Sequence, residues 1–244
     1  TEQEAWTDRA GSASHSIEVP RYVRDVVEEI AFQARKEPKV DKRSGVSQRL
    51  PISVLENVVS NAERRAVVND EELAVPRVSD VFAALPAITG KLELEYEGEL
   101  KGADKVAADI IRAAVGAVFE THLGHANVRQ VVEWFDMGGS LQLDDTASAR
   151  TLLDQTRKLQ GLTSLTEQLG LPEDAPSPLL ASAIDFILEG LHAQKKISRS
   201  ESGAFTAGEE PVRRGSKADR RRERQLRDDD DDNGNSGGGG RYYN

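Results

Sequence analysis

The chain has 244 residues, no Cys and a formal net charge of -10 at neutral pH, with 38% apolar and 30% charged residues. Lack of Cys excludes disulfides, Cys-ligated zinc and thiol catalysis, and the acidic balance argues against non-specific duplex binding by the whole chain. The apolar runs fall far short of a membrane span and the N-terminal stretch has no signal-peptide pattern, so the expected location is cytoplasmic, without a membrane span.

The first residue is Thr1 rather than Met, as expected for a piece of a longer protein. Residues 1–15 are polar around an isolated Trp6. Pro20 then opens RYVRDVVEEIAFQARKE, in which Val23, Val26, Val27, Ile30 and Ala34 recur at helical spacing, and Pro38 ends the run. The connector DKRSG leads into VSQRLPISVLENVVSNAERRAVV. Pro51 suits a first helical turn, and Ile52, Leu55, Val58, Val59, Ala62 and Ala66 make one apolar stripe. In VPRVSDVFAALPAI, Ser79 is the expected cap of a short helix anchored by Phe82 and Leu85.

KLELEYEG alternates like a strand, yet its Leu and Glu residues favour helix, so a helical or mixed connection is expected over 91–97. The clearest amphipathic helix is Asp104–His122, stopped by Gly124. Val128–Phe135, Thr146–Leu159 and Leu179–Leu191 read as three more helices, separated by turns at 137–140 and 171–178. Periodicity is lost after Ile197, and a disordered, charged tail is expected over 201–244. Within it, Arg213–Arg227 carries eight basic and two acidic groups and is followed by the run Asp228 to Asp232. The acidic run would compete for the basic block, which again argues against a nucleic-acid partner. The fold class read from this pattern is mainly α.

Few residues carry chemistry on their own. There is no GxxxxGK[ST] and no GxGxxG to cradle phosphate. Asp144-Asp145 reads as a helix cap rather than a magnesium-positioning pair. Of His15, His122, His125 and His192, the close pair His122 and His125 has no third ligand in sequence reach, so no metal site is expected. His122 reads instead as a favourable charge near a helix C-terminus. Ser47 and Ser60 have no partner His in sequence reach. Arg49 stands just before a well-formed helix, after a Gly-containing turn. Its fork either reaches an anionic partner, in contacts worth roughly 1.5–3 kcal/mol, or is a solvated or locally paired surface group.

The segment SGVSQRLPISVLENVVSNAERR resembles the start of the C-terminal lid of AAA+ ATPases, in the clade of MoxR-like proteins and the magnesium chelatase ATPase subunit. Members of that clade often open a lid helix with Gly-x-Ser-x-Arg, which Gly45-Val46-Ser47-Gln48-Arg49 matches at each position. VPRYVRDVVEEIAFQARK, PRVSDVFAALPAITGKLELEYEGE and LHAQKKISR resemble more closely a bacterial subfamily labelled magnesium-chelatase-like or sigma-54-interacting-like.

The resemblance implies a lid over 20–90, a helical extension over 91–200, and a remnant of, or linker from, a preceding AAA+ core over 1–19. It implies ATP and Mg2+ as cofactors of the intact protein, with none bound tightly by this chain alone. Arg49 is then the nucleotide-sensing catalytic residue, and Gly45, Ser47 and Arg49 form the cofactor-binding turn. Lys42, Arg43 and Ser44 are candidates for shaping the connector. The implied partners are the upstream core, further copies in a homo-hexamer and a protein client. Walker motifs, the sensor-1 residue and the arginine finger would lie in that core, and 78–197 is longer than an ordinary lid. The alternative is a non-enzymatic helical interaction module.

Overall fold

The computed structural model of the chain describes residues 16–43, 46–200 and 203–208. Among them the chain is mainly α-helical. Strand β1 (Ser16–Ile17) precedes α1 (Arg21–Lys36), which follows Pro20 and turns Val23, Val26, Val27, Ile30 and Ala34 fully inward. Arg35 and Lys36 in its last turn complement the negative end of the helix. Helix α2 (Leu50–Val68) carries Pro51 in its first turn and buries Val54, Leu55, Val58, Val59, Ala62 and Ala66. Strand β2 (Leu73–Ala74) pairs in parallel with β1, Ser16 opposite Leu73.

Helix α3 (Val78–Ala83) begins differently from the expectation. Its N-cap position is Arg77, whose backbone N–H donates to the Asp80 carboxylate at 2.8 Å, so Asp80 closes the helix start in place of Ser79. Ser79 lies inside the helix and its N–H donates to Asp185 at 3.1 Å. Phe82 and Leu85 are only half-buried, and Val78, Val81 and Ile88 are the anchors. Arg65 of α2 joins this corner, donating to Val75 O at 2.8 Å and to Asp80 at 2.7 Å. Arg77 is 1% exposed and donates to Ala147 O at 2.9 Å; burial, with Arg65 nearby, pulls its guanidinium down to about 10.

Helix α4 (Leu85–Thr89) follows, and the 91–97 segment is mixed. Leu94 makes an antiparallel bridge to Val40, and α5 (Tyr96–Lys101) begins two residues later. Helix α6 (Ala103–Leu123) is the predicted amphipathic helix and packs along α1, with His122 Nε2 at 2.7 Å from Asp25 Oδ2. Helix α7 (Arg129–Asp136) and strand β3 (Leu141–Gln142) come next. The helix expected over Thr146–Leu159 is shorter, α8 (Ala149–Thr156), capped by Ser148 Oγ at 3.1 Å from Thr151 N. A further short helix, α9 (Leu162–Gln168), starts after Gly161, whose φ of +89° breaks the chain direction. Leu162 and Leu165 fix α9 on the core.

Helix α10 (Ser177–Ala193) is buried at every residue from Ala181 to Leu191 and packs on α6 and α8. The approach to α6 is close: a Cβ on Gly190 would overlap the Phe119 ring. Strands β4 (Ile197–Arg199) and β5 (Ala204–Ala207) complete an antiparallel sheet of order β3-β5-β4. This corrects the expectation of a tail from 201 onward. Phe205, opposite Leu141 and Arg199, is 1% exposed and belongs to the core. One aromatic inward at the centre of three short strands is enough to order the segment. The rest of the expected tail, including Arg213–Arg227, lies outside the described residues. One hydrophobic cluster runs from Tyr22 to Phe205, so helices from both 20–90 and 91–200 line the same core.

Phe205→Ala should cost about 3–5 kcal/mol and lower the melting temperature by roughly 6–20 °C. A thermal scan that moves by less than two degrees would mean that β5 contributes nothing to the core.

Candidate functional site

Two places gather candidate side chains. The first is the turn before α2. Ser47 Oγ accepts from Arg49 N at 3.2 Å, and Ser47 O accepts from Leu50 N at 3.0 Å, so the serine is used to hold the turn. Leu50 is fully buried and pins the helix start, with half-buried Val46 packing against the core. Arg49 is exposed, and among the described residues its side chain makes no ion pair. A cation at a helix N-terminus opposes the macrodipole, at a cost of about 0.3–1 kcal/mol, so Arg49 does not serve the helix. Gly45, with Ser44, lies outside the described residues. Arg43 folds back on Asp41, its N–H at 2.7 Å and its Nε at 3.5 Å from Oδ1. A cavity of about 400 Å³ opens beside this turn, with Arg35, Val40, Lys42 and Gln48 on its walls.

The second place is a larger cleft of about 700 Å³ where α6, α10 and the three-stranded sheet meet. Glu189 and His192 reach it from one face of α10, and Arg112 from α6. Arg199 of β4 crosses it, its guanidinium over the Phe205 ring at 5.3 Å. Arg199 Nη1 donates to Glu189 Oε1, and Nη2 donates to Asp145 Oδ1 at 2.9 Å. Burial pushes the Glu189 carboxyl up to about 8 against the pull of Arg199. One turn earlier on α10, burial also raises Asp185, against the Ser79 N–H and the charge of Arg77. Burial lowers His192 against the hydrogen bond to the Ile197 carbonyl, and Arg112 and Arg199 push the same way as burial.

The acid pair Asp144-Asp145 is divided between two tasks, neither of them a helix cap. Asp144 Oδ1 accepts from Thr146 N at 2.8 Å and Thr146 Oγ1 at 2.7 Å, closing a turn, while Asp145 holds Arg199. Among the described residues, no group of three or more His, Asp or Glu stands where it could hold a metal ion.

Sequence reasoning did not single out Glu189 or Arg199. One signal was present: Asp185 and Glu189 sit four apart on the most apolar helix, and a charge carried inside needs a partner. The partner could not be read, because Arg199 is placed by a hairpin whose second strand, β5, falls in the expected tail.

No family model, no curated protein and no solved structure matches the chain.

The raised Glu189 carboxyl makes stability depend on pH. Its ordinary value is 4.5 and its folded value about 8, so between these values the folded chain keeps a proton that the unfolded chain has released. The stability it contributes is fully present below the unfolded value and is lost as pH rises through the folded one. Glu189→Gln cannot ionise. Its urea midpoint relative to wild type should therefore climb between about pH 5 and about pH 9. Parallel midpoints across that span would show that burial leaves the carboxyl unshifted.

Proposed function

We propose that this chain is the C-terminal helical portion of an AAA+ ATPase of the magnesium chelatase and MoxR type. In this reading, Arg49 senses ATP and lid movement couples hydrolysis to a client or metal-insertion partner. The observation that carries the reading is Arg49 itself. It stands exposed and without an ion pair among the described residues, on a turn held by Ser47 and Leu50, at the helix end where a cation is least favourable. The GVSQR sequence of that turn supports it further.

ATP and Mg2+ would be held mainly by an upstream core, and the protein would work as a homo-hexamer. Arg49 would then act on the phosphates by charge and position rather than by covalent chemistry. Lid rotation would carry the change to a neighbouring subunit.

A second reading, a non-enzymatic interaction module, draws on Tyr96 and Leu100. They lie four apart on α5 and are 73% and 71% exposed. ATP turnover separates the two readings.

The 244-residue chain alone should hydrolyse ATP no faster than buffer, since it has no loop to hold the β- and γ-phosphates. Joined to its core, Arg49→Ala should slow steady-state turnover about tenfold or more while the urea midpoint stays level or rises slightly. Unchanged turnover at saturating ATP, with unchanged nucleotide affinity, would make Arg49 an ordinary surface residue. A core-fused protein that neither binds nor hydrolyses ATP would leave the interaction module as the reading.

A further inference from the structure

The cleft between α10 and the three-stranded sheet has an uneven supply of hydrogen-bonding groups. Its cations are already engaged. Arg199 is spent on Glu189 and Asp145, and Arg112 Nη1 donates to Asp109 Oδ1 at 3.1 Å. Three of its other groups, Glu189, His192 and Asp145, each keep one atom without a partner among the described residues. Glu189 is 2% exposed and lines the cleft, and only Oε1 has a partner among the described residues. His192 Nδ1 lies 3.3 Å from Ile197 O, an acceptor, so Nδ1 carries the proton and Nε2 keeps a lone pair. Glu189 and His192 are three apart on α10, hence on the same face of the helix. Asp145, its side chain 54% exposed, stands on the rim with one oxygen uncommitted.

A ligand suited to this cleft must bring donors and positive charge. Among the lining groups, three carboxyls face two guanidiniums, so one further cation balances them when all are ionised. We propose that the cleft binds an organic cation, an alkylammonium or guanidinium group, held by Glu189 Oε2, His192 Nε2 and the Asp145 carboxylate. The apolar stem of the ligand has Phe82, Ala108 and Leu143 to lie against. The chemistry is shared by a free amine and by the Lys or Arg side chain of a protein, and the test separates these sources. Nothing in this inference depends on ATP or on Arg49.

Binding is linked to pH through Glu189. The groups around that carboxyl are Arg199 on β4, Asp145 in the β3–α8 loop, Arg112 on α6, and Asp185 and His192 on its own helix. A bound cation favours the ionised carboxylate, so binding below about pH 8 releases a proton.

The experiment is an NMR titration of the 244-residue chain, following the His192 imidazole and the Glu189 amide. The probes are cadaverine and Nα-acetyl-lysine amide, with pentane-1,5-diol and glutarate as neutral and anionic counterparts. Saturable shifts are expected from the two amines and not from the other two. Tighter binding of cadaverine would assign a free amine, and tighter binding of the lysine amide a protein side chain. Affinity should rise by up to about tenfold per pH unit between about pH 6 and about pH 8. Glu189→Gln should weaken binding about tenfold or more. Asp145→Asn, at the exposed rim, should weaken it about threefold, a readout that survives even if the Glu189 variant unfolds. Glutarate binding more tightly than cadaverine would overturn the proposal. So would equal binding of the diol, or amine affinities unchanged in Asp145→Asn.

Discussion

Much of this structure follows from the burial of α10. The helix lies beneath α6 and α8 with Ala181 to Leu191 all inside, and that stretch includes Ser182, Asp185 and Glu189. These three sit at i, i+3 and i+7, one stripe along a helix. A polar group taken out of water must find a partner or cost several kcal/mol. The partners come from distant parts of the chain. Tyr22 OH donates to Ser182 Oγ at 3.0 Å, which donates to Pro76 O at 2.5 Å. Ser79 N–H meets Asp185, and Arg199 meets Glu189. Each bond therefore fixes another element: α1 and the approach to α3, then α3, then β4. Gly190 allows the close packing of α10 against Phe119.

The same constraint makes the cleft. Once Glu189 is inside, β4 brings Arg199 to it, with the guanidinium lying over the Phe205 ring. Asp145 then takes the other side of the fork, tying the β3–α8 loop to the hairpin. A carboxyl that shares the cation it touches with a second carboxylate is poorly neutralised, and burial pushes it up to about 8. Structural economy has left an acid on the wall of the cleft with one oxygen lacking a partner among the described residues.

The turn at Arg49 obeys the opposite logic. Ser47 and Leu50 hold the backbone, while the arginine extends away from the core against the helix dipole. The Arg65, Asp80 and Arg77 corner shows what a structural arginine looks like in this chain, buried and donating to carbonyls and a carboxylate. Arg49 has none of those features.

The long helices were legible because each is decided locally. Valines at helical spacing between Pro20 and Pro38, and the stripe behind Pro51, specify α1 and α2 whatever surrounds them. The Arg49 turn was legible for the same reason, as a short contiguous pattern. Ser79 looked like a cap because Ser favours that position, but the helix starts two residues earlier, where Asp80 accepts from Arg77 N–H, and the Ser79 N–H goes to Asp185. The strand around Phe205 and the cleft it supports were not legible. A strand of four residues has no periodicity to read, and it is ordered by neighbours 64 residues away at Leu141 and beside it at Arg199. Sequence alone determined the helical class and the start of α2 after Arg49, since both follow from local spacing. Only the tertiary structure decided which charges go inside and what answers them, since burial depends on contacts between residues far apart in the chain.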